Sequence, residues 1–163
     1  MTVHKLAQRL GEKMSQAGKT VVTAESCTGG LISSAITAVP GSSGWFNQGY
    51  VTYSNKAKRQ MLGVSQDLIE QHGVVSEAVV RSMLLGALRH SQSDLGVAIS
   101  GIAGPGGGSA EKPVGTVCIA CGSEKKGFAE TYRFAGDRSE VRAFATEQAL
   151  QLLLDASSQF EDS

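Results

Sequence analysis

Three features of the sequence predict an α/β domain of three layers (α/β/α), with helices on both faces of a mixed, mostly parallel sheet. Helix-like and strand-like segments alternate from the N-terminus to about residue 101. Two strand-like runs, Val114 to Cys121 and Phe128 to Phe134, then follow one another across the short turn Gly122 to Lys126. That turn suits an antiparallel hairpin and so adds one antiparallel strand. The 163 residues, 41% of them hydrophobic, fit one globular domain over residues 1–163 with a single core, and no repeat or linker interrupts them.

The elements can be justified in order. Val3, Leu6, Ala7, Leu10, Met14 and Ala17 recur at helical spacing, and Gly18 is a stop signal. Thr20 to Ala24 reads as a buried strand. Ser26 to Gly30 follows it and opens a helical run from Leu31 to Ala38, ended by Pro40 and Gly41. The loop Gly41 to Gly44 leads to a strand at about Phe46 to Tyr53. Ser54 or Asn55 then caps a short helix carrying Lys56, Lys58, Met61 and Leu62. Ser65 to His72 is a second short helix. Ser76 caps a longer one with Val79, Val80, Met83, Leu84, Ala87 and Leu88 on its buried side. Asp94 to Ser100 is a strand that runs into the glycine-rich loop Gly101 to Gly108. Asp137 and Glu140 have capping-box spacing at the start of the last helix, with Val141, Phe144, Ala145, Ala149, Leu152 and Leu153 as its packing face. The tail from about Ser157 is polar and is expected to fray.

Composition excludes several function classes. With 15 basic and 15 acidic residues, the chain lacks the cationic surplus of a phosphate-backbone binder, so no nucleic-acid partner is expected. No apolar run approaches the ~20 residues of a membrane span, and the N-terminal stretch is amphipathic rather than leader-like, so a cytoplasmic location is expected. Three cysteines do not suggest a disulfide framework. Cys118 and Cys121 have C-x-x-C spacing, but strand alternation places the two sulfurs on opposite faces, which argues against a metal or redox pair. No metal site is read from the sequence.

Ligands of open α/β sheets gather beyond the carboxyl ends of the strands. Three polar or glycine-rich segments follow strands here: Glu25 to Gly30, Ser54 to Lys58, and Ser100 to Gly108. Ser26 sits between a strand and a helix start, where backbone N–H groups suit an anion or oxyanion and Gly29 and Gly30 permit close approach. It lacks a G-x-S-x-G elbow. On local sequence alone, Ser26 or Thr28 reads more readily as a helix N-cap than as a reactive group. Lys58 can serve as the base for a serine if burial lowers its pKa, although most lysines are solvated surface charges. His4, His72 and His90 read as surface or capping residues, so no Ser-His-Asp set emerges. The glycines of Ser100 to Gly108 could cradle a phosphate, but the loop is neither a Walker loop nor a dinucleotide fingerprint. Arg138 and Arg142 could add cationic ligands, or be solvated helix residues.

Five segments in this order carry a family resemblance. They are Thr23 to Gly30, Gly41 to Ser43 with Trp45 and Phe46, Gly49 to Asn55, Ser100 to Pro105, and Lys112 to Val117. Over about residues 5 to 155 the chain resembles the C-terminal domain family of the competence-damage-inducible protein CinA. Longer members carry an N-terminal domain not seen here, so an activity of that domain is not expected. The resemblance implies hydrolysis of the carboxamide of nicotinamide mononucleotide to nicotinate mononucleotide and ammonia, in pyridine-nucleotide recycling. It also implies a Ser/Lys pair, no cofactor and a homo-oligomer. Mapped onto this chain the lysine is Lys58 and the chosen serine is Ser26, with Ser42, Ser43 and Ser100 as rivals and Tyr53 as an orienting residue. Oxyanion donors are then expected near Gly29 or in the Gly41 to Ser43 loop. Thr28, Gly29, Gly30, Ser42, Ser43, Ser100, Gly101, Gly104, Arg138 and Arg142 become the expected substrate-binding residues. Two other readings remain at this stage: a non-catalytic nucleotide-binding or regulatory module, and an amidase for another small amide such as free nicotinamide.

Overall fold

The computed structural model describes residues 1–161. Its elements run α1 (Val3–Ala17), β1 (Val21–Glu25), α2 (Leu31–Thr37), β2 (Phe46–Val51), α3 (Asn55–Leu62), α4 (Gln66–His72), α5 (Glu77–Ser91), β3 (Leu95–Gly101), β4 (Thr116–Gly122), β5 (Gly127–Arg133) and α6 (Arg138–Ala156). Side-chain caps set the helix starts, at the expected positions for Ser54, Ser76 and Asp137 and also at Ser65, which the sequence reading places inside its helix. Ser54, Ser65 and Ser76 accept the N–H of Ala57, Leu68 and Val79, and Asp137 and Glu140 form a capping box. Each such cap satisfies a donor the helix cannot, worth ~1 kcal/mol. Gly18 ends α1 in the left-handed conformation.

The sheet order is β2-β1-β3-β4-β5. β1 is parallel to β2 and β3, whereas β4 is antiparallel to both β3 and β5. Only β4 therefore runs against the others, and the carboxyl ends of β1, β2 and β3 emerge together. α1, α2 and α6 cover one face through Leu6, Leu10, Ile32, Ile36, Leu150 and Leu153. α3, α4 and α5 cover the other through Leu62, Ile69, Val80, Met83, Leu84 and Leu88. Alternation along β4 puts Cys121 in the first core layer and Cys118 in the second, as the strand reading required.

Some expectations shift. β1 begins and ends one residue later than read from the sequence, so Glu25 is its last strand residue. Phe144, expected on the packing face of α6, is not on its buried stripe. Phe144 is 42% exposed and its ring lies 6.1 Å from that of Phe134, while Ala145, Ala149, Leu150, Leu153 and Leu154 face the core. Leu152 is partly buried and packs against the core, as expected. The tail from Ser157, expected to fray, carries defined contacts up to Glu161. Ser157–Phe160 form a 3-10 turn with Ser157 buried, Lys19 over the Phe160 ring at 5.7 Å, and Lys13 paired with Glu161. The remainder of that tail, 162–163, lies outside the described residues. Trp45 is a core residue, seated against Gly11, where a Cβ would stand 2.8 Å from the indole.

Candidate active site

The parallel strands deliver their polar segments to one cavity of about 290 Å³, near the lower end of the roughly 300–1,000 Å³ of small-molecule sites. Ser26, Lys58, Tyr53, Ser100, Gly104 and Arg138 line it. Gly101 also lines it, as do Val74 and Val75 from the α4–α5 connection. Among the described residues, no histidine, aspartate or glutamate faces this space. His4, His72 and His90 are exposed elsewhere. Among the described residues, no three His, Cys, Asp or Glu side chains gather to hold a metal ion.

Lys58 is the most unusual group in the site. It is 1% exposed, although lysine is almost never buried without partners. Its Nζ lies 3.0 Å from Ser26 Oγ, 2.9 Å from the Thr52 carbonyl and 3.4 Å from the Tyr53 carbonyl. Burial pulls its pKa down from 10.5 to about 8, with the neighbouring Cys27 acting in the opposite direction. The contact has a backbone origin. β1 and β2 pair through Glu25 and Val51, the Thr52 N–H donates to the Glu25 carbonyl, and Ser54 starts α3 so that Lys58 turns back toward Ser26.

Cys27 lines the same cavity, but burial pushes its thiol up to about 11, so it is held protonated and is a poor nucleophile. The hydroxyl of Ser100 donates to the Val74 carbonyl at 3.0 Å, which commits its proton to a peptide oxygen rather than a base. Arg138 donates to the Gly104 carbonyl at 2.8 Å and the Tyr53 hydroxyl at 3.0 Å, joining three walls of the cavity. Tyr53 is 60% exposed and stands at its mouth.

Other predicted residues are not brought to the cavity. Ser42 and Ser43 lie in a 3-10 turn before β2, at the amino end of the parallel strands, because Phe46 pairs with Val21 while Val51 pairs with Glu25. The Gly41 to Ser43 loop therefore supplies no oxyanion donor to Ser26. Neither Ser26 nor Thr28 is an N-cap: that position is Gly30, with no side-chain cap of its own. The Gly29 N–H donates to the Ser26 carbonyl, and the Gly30 N–H to the Glu25 carboxylate, so neither amide is free for an oxyanion. Thr28 is buried with its hydroxyl on Glu25 at 2.6 Å. Arg142 donates to the carbonyls of Cys27 and Thr28 at 3.0 and 3.2 Å, behind the serine turn.

Two contributors escaped the sequence reading. The α4–α5 wall is tied down by Ser100 and by Lys112, whose Nζ donates to the His72 and Val75 carbonyls. Only tertiary contact reveals that link. Glu25 left a signal: Gly29 and Gly30 open α2 without a capping side chain, so a capping group had to come from elsewhere.

The layers and the buried contact define an α/β domain with a serine–lysine pair at the carboxyl end of its sheet. The chain belongs to the CinA C-terminal domain family, whose model matches residues 3–157. It is 52% identical over 149 residues to the nicotinamide-nucleotide amidohydrolase PncC of Escherichia coli K12, covering 91% of this chain and 90% of that protein. It is 51% identical over 154 residues to the PncC of Pseudomonas putida, covering 94% and 96% of the two. The crystal structure of the competence/damage inducible protein CihA from Agrobacterium tumefaciens superposes with a TM-score of 0.92 at 42% identity, over 94% of each chain.

Proposed function

We propose that the chain hydrolyses the carboxamide of nicotinamide mononucleotide, giving nicotinate mononucleotide and ammonia, with Ser26 as nucleophile and Lys58 as its base. The contact of Lys58 Nζ with Ser26 Oγ at 3.0 Å carries this reading. A neutral amine has two N–H groups and one lone pair. The Thr52 and Tyr53 carbonyls take the N–H groups, which leaves the lone pair for the Ser26 hydroxyl proton. As Oγ attacks the carboxamide carbon, that proton passes to Lys58, and Lys58 returns it to the departing nitrogen as the C–N bond breaks. Water then cleaves the ester by the same base, releasing the acid and restoring Ser26.

The N–H groups of Cys27 and Ala103 donate to no other residue among those described, and both residues line the cavity, so we assign the oxyanion to them. One such donor is worth roughly 2.7–4 kcal/mol of barrier. Among the described residues no acidic side chain lines the cavity, and Arg138 does, which supports an anionic substrate. Its phosphate is assigned to Arg138 and the Gly104–Gly107 segment. The names of the relatives support the same substrate, and under this reading the reaction serves pyridine-nucleotide recycling.

Ammonia release tests it. Nicotinamide mononucleotide should be turned over at least about tenfold more efficiently than nicotinamide or its riboside, as loss of a charge-assisted phosphate contact demands. Binding of the mononucleotide without ammonia would overturn the enzymatic reading. Equal turnover of all three amides would overturn the phosphate assignment.

A further inference from the structure

Glu25 precedes the proposed nucleophile, is fully buried, and takes no part in the chemistry above. Its surroundings are organised entirely around a negative carboxylate. Oε1 accepts from Thr28 Oγ1 at 2.6 Å, the Ile32 N–H at 2.9 Å and the Gly30 N–H at 3.2 Å. Oε2 accepts from the Ser33 hydroxyl at 2.7 Å and the Ser33 N–H at 3.0 Å. The Ser33 hydroxyl is in turn 2.8 Å from Thr23 Oγ1. All five partners of Glu25 are donors, which an ionised, acceptor-only carboxylate matches and a carboxamide does not. Gly49 preserves the room for this network, since a Cβ there would stand 2.4 Å from Thr23 Oγ1 and 2.8 Å from Ser33 Oγ.

We infer that Glu25 is a positioning residue for the nucleophile: its buried carboxylate locks the Ser26–Gly30 turn onto α2 and so holds Ser26 Oγ against Lys58. This rests on the Ser26–Lys58 reading above. Strand alternation sends the Glu25 side chain to the α2 face and Ser26 to the opposite face, where α3 delivers Lys58. The carboxylate therefore anchors the turn from behind without entering the cavity. Its main chain completes the link. The Glu25 carbonyl accepts from Thr52 N–H at 2.9 Å, and the Thr52 carbonyl accepts from Lys58 Nζ. Serine and lysine are thus registered through one residue. Arg142 holds the same turn through the Cys27 and Thr28 carbonyls, also from the side away from the cavity.

The test compares Thr28→Ala, Ser33→Ala, Glu25→Gln and Glu25→Asp with wild type and Ser26→Ala. It measures kcat, KM and the pH profile for nicotinamide mononucleotide, per folded protein by circular dichroism. A nucleophile misplaced by an ångström loses about 100-fold in rate. Glu25→Gln is expected to lose kcat on that scale, and Thr28→Ala and Ser33→Ala a smaller part of it. KM should stay within about threefold of wild type, because the cavity walls are untouched. The pH midpoint should not move, since burial and Cys27 set the Lys58 value. Glu25→Asp keeps the charge and should recover part of kcat. Wild-type kcat in folded Thr28→Ala and Ser33→Ala overturns the inference even where Glu25→Gln does not fold. Loss expressed only in KM, or a displaced pH midpoint, also overturns it. Full turnover by Ser26→Ala would instead defeat the reading on which it rests.

Discussion

Two serine–glycine loops of similar composition, Ser26–Gly30 and Gly41–Gly44, come to different fates in this fold. Each ends at a regular element, and each offers hydroxyls and glycine amides. The first follows β1 and faces a buried lysine across a cavity. The second precedes β2 and packs at the far end of the same two strands, next to the Trp45 core position. Strand direction separates them, not residue type. Local sequence nominates hydroxyls, and parallel topology decides which of them can meet a base.

That contrast can be broken by substitution. Ser26→Ala should cut ammonia release from nicotinamide mononucleotide by about 1,000-fold or more, the scale on which lost nucleophiles act. Ser42→Ala and Ser43→Ala should stay within about twofold. A large loss at Ser43 with little at Ser26 would move the chemistry to the other end of the sheet. Arg138→Ala sharpens the substrate side of the comparison. Steady-state kinetics should show KM up by about tenfold or more, the worth of a charge-assisted contact, with kcat changed less. The smallest effect concerns stability. The Lys58 pKa lies lower folded than unfolded, so the unfolded chain binds more protons between pH 8 and 10.5, and stability rises with pH across that window. Urea unfolding should give wild type a gain of about 1 kcal/mol over Lys58→Met between pH 7 and 9. A difference that does not move with pH would contradict the depressed value.

The fold was legible because its signals are local and repeated. Ser54, Ser76 and Asp137 cap helices where the sequence places caps, and the Gly122–Lys126 turn closes the expected hairpin. Phe144 misled because helical period alone does not say how wide a buried stripe is. At the site, Ser26, Lys58, Tyr53, Ser100, Gly104 and Arg138 were all nominated from segments that follow strands or open the last helix. Glu25 was visible only as a motif letter. Its role depends on strand alternation and on a helix without its own cap, and both emerge once β1 is seen to end at Glu25. Arg142 reads as a ligand in sequence, yet its guanidinium is spent on two main-chain carbonyls 114 and 115 residues away.

The central claim, that a neutral buried Lys58 takes the Ser26 proton, is tested most directly by the pH dependence of kcat for nicotinamide mononucleotide. Neutral lysine is the working form, so log kcat should climb with unit slope below an apparent pKa near 8 and level off above it. The residual rate of Lys58→Ala should lack that inflection. A flat wild-type profile from pH 6 to about 9, or the same inflection surviving in Lys58→Ala, would contradict the account.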